Sequence, residues 1–134
     1  MTVQYSVPVR NAQLDAWENT IGTTPKLQVR TGAQPANCAA ADSGTLLCEM
    51  DLPSDWMSAA ASGSKAKTGT WSGTGVANGD AGHYRIKDAA GTTCHEQGSI
   101  TATAGGGDAT MDNITVTSGL PVAVNTFAKN AGNA

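Results

Sequence analysis

Metal-binding and nucleophilic side chains are scarce in this chain, and they gather once, at Cys94-His95-Glu96. With His83 upstream, this group has the ligand types of a zinc site. The spacing argues against one. Neighbouring residues on a strand point to opposite faces, so Cys94 and His95 do not share an ion. His83 and His95 can face each other across a hairpin with Gln97 beside them. That supplies two nitrogen ligands, short of a tetrahedral set. A structural polar face is the better reading, and neither a metal nor a cofactor is expected.

Other arrangements fail on the same kind of test. Ser62-x-x-Lys65 and Lys67-Thr68-Gly69 match two signatures of penicillin-binding enzymes, but in those enzymes the elements lie far apart in sequence and converge across a large fold. Here they adjoin and no Ser-Asp-Asn element accompanies them, so a flexible Ser/Gly/Lys turn is expected. Nothing resembles the nucleophile elbow G-x-S-x-G. Gly105-Gly106-Gly107-Asp108 is followed by no Lys-Ser/Thr and no helical pattern, so it is a turn and not a phosphate loop. Asn113-Ile114-Thr115 is formally a glycosylation triplet, but no secretory leader is legible at the start to give it meaning. No catalytic residue is assigned, and the chain is expected not to be an enzyme.

The elements that would position these residues read as mostly β. Leu14, Trp17 and Ile21 fall at helical spacing within a predicted helix over 9–22. Ser6 suits its N-cap, Pro8 its first turn and Gly22 a left-handed C-cap. Residues 1–8 form an N-terminal arm expected to order against something else. After Pro25 the period becomes two. The clearest strand, Thr45–Leu52, places Leu46, Cys48, Met50 and Leu52 on one face. A capped helical turn is expected from Ser54 to about Ala61. Further strands are read over Ala66–Ser72, His83–Asp88, Thr93–Thr103, Ala109–Thr117 and Val122–Lys129, with a long loop over Thr31–Ser43. In His83–Asp88, Tyr84 and Ile86 alternate with His83, Arg85 and Lys87. About seven or eight short strands at near-regular spacing predict an all-β domain over 23–134, an antiparallel sandwich of jelly-roll type.

Bulk properties narrow the function classes. The 134 residues suit one domain. Only 14% are charged and 4% aromatic, so an aliphatic core is expected, with the few aromatics as large anchors. Eight scattered Lys and Arg against a net charge of −3 argue against a nucleic-acid binder. Lys65 and Lys67, the nearest thing to a basic cluster, read as a solvated strand end. No apolar run reaches the roughly 18 residues of a membrane span. Three cysteines exclude a complete disulfide framework. In a reducing cytoplasm they would be three buried small hydrophobes. If the protein ends up outside a cell, Cys38 and Cys94 are the pair to test, with Cys48 left buried and free.

Several strings carry a resemblance over nearly the whole chain. They are Arg10-Asn-Ala-Gln-Leu-Asp-Ala-Trp-Glu-Asn-Thr-Ile-Gly22, Leu27-Gln-Val-Arg-Thr-Gly-Ala33, Pro35-Ala-Asn-Cys-Ala-Ala-Ala-Asp42, Leu52-Pro-Ser-Asp-Trp-Met57, Gly82-His-Tyr-Arg-Ile86, Gly91-Thr-Thr-Cys-His95 and the closing Ala131-Gly-Asn-Ala. In these the chain resembles a family of small virion proteins from the structural modules of tailed phages and prophages. The resemblance implies a virion protein assembled in the bacterial cytoplasm. One placement is a capsid decoration, or cement, protein on the outer capsid surface. It would be a dimer or trimer that clamps the major capsid protein lattice, with no nucleic acid or membrane partner. The other is a tail or head fibre or baseplate component that meets the host. Under the clamp reading the contact residues are Val3, Tyr5 and Val7 of the arm, and Arg10, Leu14 and Trp17 of the helix. Trp17 has two open roles, an interface anchor or a peg that packs the helix on its own domain.

Overall fold

The computed structural model describes residues 3–131. Its elements are helix α1 (Val7–Ile21) and strands β1 (Lys26–Thr31), β2 (Leu46–Asp51), β3 (Ser64–Ala66), β4 (Trp71–Thr74), β5 (Gly79–Lys87), β6 (Cys94–Ala102), β7 (Ala109–Met111), β8 (Thr115–Val116), β9 (Pro121–Val124) and β10 (Thr126–Asn130). The fold is mostly β with one helix. One sheet runs β2-β1-β5-β6-β7-β10-β3, with β8 paired to the start of β5, and a second sheet pairs β4 with β9. The second sheet leans on β2, where the Val76 N–H donates to the Leu47 carbonyl at 2.8 Å.

Alternation along the central strands sets two different faces. Leu27 and Val29 stand opposite Ile86 and Tyr84 on β5, and opposite Met50 and Cys48 on β2. These residues join Trp71, Val122, Val124 and Phe127 in one core. The aromatic residues are concentrated there. Trp17, Trp56, Trp71, Phe127 and Tyr84 form a continuous run of ring contacts, with centroids 5.2–6.3 Å apart. The few aromatics expected as large anchors of the core meet one another there, where tilted and edge-on pairs add to burial.

The helix begins two residues earlier than its pattern suggested. Ser6 accepts from the Val9 N–H and Pro8 occupies the first turn, so Val7 belongs to α1 and not to an arm. The helix ends at Gly22, whose φ of +93° and ψ of −168° suit glycine and not the left-handed region expected. The Trp56 indole N–H closes this end by donating to the Gly22 carbonyl at 3.0 Å.

Three expected strands are each divided. Ala109–Thr117 becomes β7 and β8, Val122–Lys129 becomes β9 and β10 around Asn125, and Ala66–Ser72 contributes to β3 and β4. The turn expected from Ser54 is not helical; Trp56 and Met57 are buried on extended chain, and Met57 bridges Lys67. Among the described residues, every strand pair is antiparallel except β6 with β7, which runs parallel. A parallel neighbour normally needs a crossover of a dozen or more residues. Here the chain doubles back within Thr103–Asp108 close against Thr101, whose hydroxyl accepts from the Gly107 N–H at 2.9 Å. A Cβ at Gly105 or Gly107 would lie 2.7 or 2.8 Å from that side chain. Close approach, more than positive φ, explains the glycine run.

Candidate functional site

Two surfaces carry the side chains that chemistry or binding can use. The first is the N-terminal strip. Val3, Tyr5, Val7 and Val9 are four of the six exposed large hydrophobics among the described residues. They stand at alternate positions across the lead-in and the first turn of α1. An apolar row on water is a feature that folded domains keep for contacts.

The other residues expected on that interface are engaged by the domain itself. Leu14 is 3% exposed, which removes it from any docking surface. The Trp17 ring lies against Trp56 and Phe127, so it packs the helix on its own domain. The Lys129 ammonium sits 5.6 Å over the same ring. The Arg10 Nε–H donates to the Ala131 carbonyl at 2.8 Å, and the Asn11 amide oxygen accepts from the Gly63 N–H at 2.9 Å. Lys65, expected in solvent, is buried and donates to Asp15 and Glu18, each at 2.8 Å. Asp15 and Glu18 lie three apart on one helical face, which is the spacing that lets both reach one cation. Burial would lower the Lys65 pKa, but these two carboxylates outweigh it and raise it. Helix α1 is thereby fixed to β3 and the 61–65 turn.

The second surface is the outer face of β1, β5 and β6. His83, Arg85 and Lys87, expected on a polar face, are all buried because the 32–43 loop roofs them. Arg85 is the centre of the arrangement. Its Nη1 donates to Asp42 Oδ1 at 2.5 Å, and its Nη2 donates to the carbonyls of Asn37, Cys38 and Ala40 at 3.1–3.2 Å. Its Nε reaches the Gln97 side chain, whose own amide donates to the Pro35 carbonyl. Asp42 also accepts from Lys87 at 2.7 Å and Arg30 at 3.1 Å. Burial raises the Asp42 pKa, but hydrogen bonds from Lys87 and Arg85 and the charge of Arg30 prevail and hold it at about 2.

A covalent tie joins the same loop to β6. Cys38 and Cys94 form a disulfide with Cα atoms 5.2 Å apart, and both are half-buried, whereas the free Cys48 is buried in the core. The expectation of three buried thiols therefore gives way to one. Burial pushes the Cys48 thiol up to about 11, which suits an inert core residue.

The chemistry considered at Cys94-His95-Glu96 does not assemble. His83 pairs in register with Ser99 and not with His95. His83 Nδ1 lies 2.9 Å from the Gly32 carbonyl. Glu96 accepts from the Tyr84 hydroxyl at 2.8 Å and pairs with Lys129. No group of three or more His, Cys, Asp or Glu among the described residues is arranged to hold a metal. Lys67 donates to the Gly69 carbonyl at 3.0 Å, apart from Lys65 and its carboxylates. No described helix is long and apolar enough to cross a membrane.

The Asp42–Arg85 cluster escaped the sequence reading. Its signal was two cationic positions, Arg85 and Lys87, alternating with apolar residues on β5, together with a single acid in an otherwise Ala-rich loop. The surfaces to explain are thus an exposed apolar strip at the N-terminus and a roofed cationic face stapled by a disulfide. No protein-family model, curated protein or solved structure matches this chain.

Proposed function

We propose that the chain is a non-enzymatic structural protein of a phage particle, a capsid decoration protein that binds and stabilises the major capsid protein lattice. The observation that carries this reading is the N-terminal strip. Val3, Tyr5, Val7 and Val9 are all exposed while Arg10, Leu14 and Trp17 anchor the same helix to its domain. A helix held rigidly from behind presents its leading residues at a fixed position, which lowers the ordering cost of docking. The exposed, non-helical lead-in residues Val3 and Tyr5 suit addition to a sheet edge of the shell. The family resemblance in the sequence supplies the partner. Two sheets around one core suit the sandwich of jelly-roll type that the strand spacing predicts, and the resemblance implies its assembly as a dimer or trimer. Many modest contacts over a lattice then sum to firm attachment.

Co-sedimentation with shells that lack this protein tests the proposal. A Val3→Asp/Val7→Asp variant is expected to keep its melting temperature, because both sites are exposed and an acid is favoured in a helix's first turn. It should lose shell binding by tenfold or more, on the order of 1.4 kcal/mol per decade. Unchanged binding would remove the strip from the interface.

A further inference from the structure

Three cations of the roofed face share the Asp42 carboxylate, while Glu49 and Asp51 on the same face are engaged by Gln28 and Lys26. Arg30, Arg85 and Lys87 all converge on Asp42, with side chains 11%, 2% and 8% exposed against 30% for the acid. Buried charges are ordinarily paired, since leaving water is costly. Asp88, which directly follows Lys87, accepts from Thr92 and Thr93 in its own turn.

A cavity of about 260 Å³ lies beside these cations, open to solvent. Arg85 and Lys87 line it beside the Asp42 carboxylate they share, together with Ala39, Ala40 and Ala41. The alanines leave the space because their side chains are too short to fill it. It has room for several waters at about 30 Å³ each. The donors are not exhausted. Lys87 uses one of its three N–H groups on Asp42, and Arg85 Nη1 uses one of its two.

We propose that this cavity is a binding site for a small oxyanion, a phosphate or carboxylate group, held by the Lys87 ammonium and the outer N–H of Arg85. Such a ligand adds negative charge beside the three cations that share Asp42. Its bonds would be charge-assisted on both sides, the stronger class of hydrogen bond. The Cys38–Cys94 disulfide and the Arg85 bonds to the loop carbonyls fix the walls beforehand, so little ordering is required on binding.

The test is a thermal titration of the oxidised full chain with inorganic phosphate, and separately with acetate, each against sodium chloride at equal ionic strength. The expected result is a saturable rise of roughly 3 to 6 °C at tenfold the dissociation constant. The rise should disappear in Lys87→Met, a variant in which Asp42 keeps both arginines. A response to phosphate alone assigns a phosphate-type ligand, and a response to both assigns a site that also takes carboxylates. A second readout serves if the variant does not fold: amide resonances of Ala39–Asp42 and Thr92 in the native chain should shift together with added phosphate. Neither anion exceeding chloride, an equal response in Lys87→Met, or resonance shifts confined to other regions would overturn the site.

Discussion

At the scale of single residues, Asp42 has the widest consequences. It is one carboxylate serving Arg30, Arg85 and Lys87, and it closes the loop over the sheet. Replacing it with Asn removes the charge and keeps the shape. Three largely buried cations then lose their counter-ion, which is expected to cost about 3 kcal/mol. The pH dependence follows from the depressed carboxyl, held at about 2. A carboxylate whose folded pKa lies below its unfolded value, near 3.9, stabilises the fold above that unfolded value. The contribution is lost as the pH falls through the window from about 4 to about 2. Melting curves of the native chain should therefore slope downward across that window, and those of Asp42→Asn should slope less. Equal slopes would show that Asp42 is not the group being titrated. Trp17 is the second decisive residue. Its ring lies 5.2 Å from Trp56 and 6.3 Å from Phe127. Trp17→Ala is expected to lower stability by about 3 kcal/mol, read by urea denaturation. A variant of native stability that failed only in shell binding would return Trp17 to the interface.

At the scale of elements, the 32–43 loop and helix α1 are both held by side chains distant in sequence. The disulfide closes a separation of 56 residues between Cys38 and Cys94. Removing it in Cys38→Ser/Cys94→Ser is expected to cost about 2 to 4 kcal/mol relative to the oxidised chain. Under reducing conditions the native chain should fall to the level of the variant, and no difference between them in oxidising buffer would contradict the tie. How much of this was legible depended on whether the signal was local. Ser6, Pro8 and Gly22 marked the helix because capping is a local matter. The period-two pattern located β1, β2, β5 and β6 for the same reason. The divisions of β7 from β8, and of β9 from β10, follow changes of pairing partner, β6 and β10 to β5 in the first case and β4 to β7 and β3 in the second, which no short window contains. The burial of Arg85, Lys87 and Lys65 was illegible for a related reason. Each is charged and alternates with apolar neighbours, which is the pattern of a solvated face. Only a roof built from residues 32–43, or a helix carrying Asp15 and Glu18, reverses it. The parallel β6–β7 pair was hidden in the same way, since six connecting residues rarely permit it.

At the scale of the whole molecule, the architecture separates two tasks. The β domain is closed around an aromatic centre and reinforced on its outer face by ion pairs and a disulfide. The N-terminal strip projects apolar side chains from that rigid body. Under the proposed function, a rigid body that presents such a strip suits attachment to a repeating surface. The roofed cationic face stands apart from that edge and belongs to the 32–43 loop, so oxyanion binding and shell attachment are separable by the variants given for each. The most direct measurement of the central claim is the copy number of this chain in purified particles, taken by quantitative mass spectrometry against the major capsid protein. A decoration protein that covers the lattice is present in about one to a few copies per local symmetry unit, on the order of hundreds per particle. A few to a few tens of copies would contradict the decoration reading and place the chain at a vertex or on the tail, and its absence from the particle would contradict a virion role altogether.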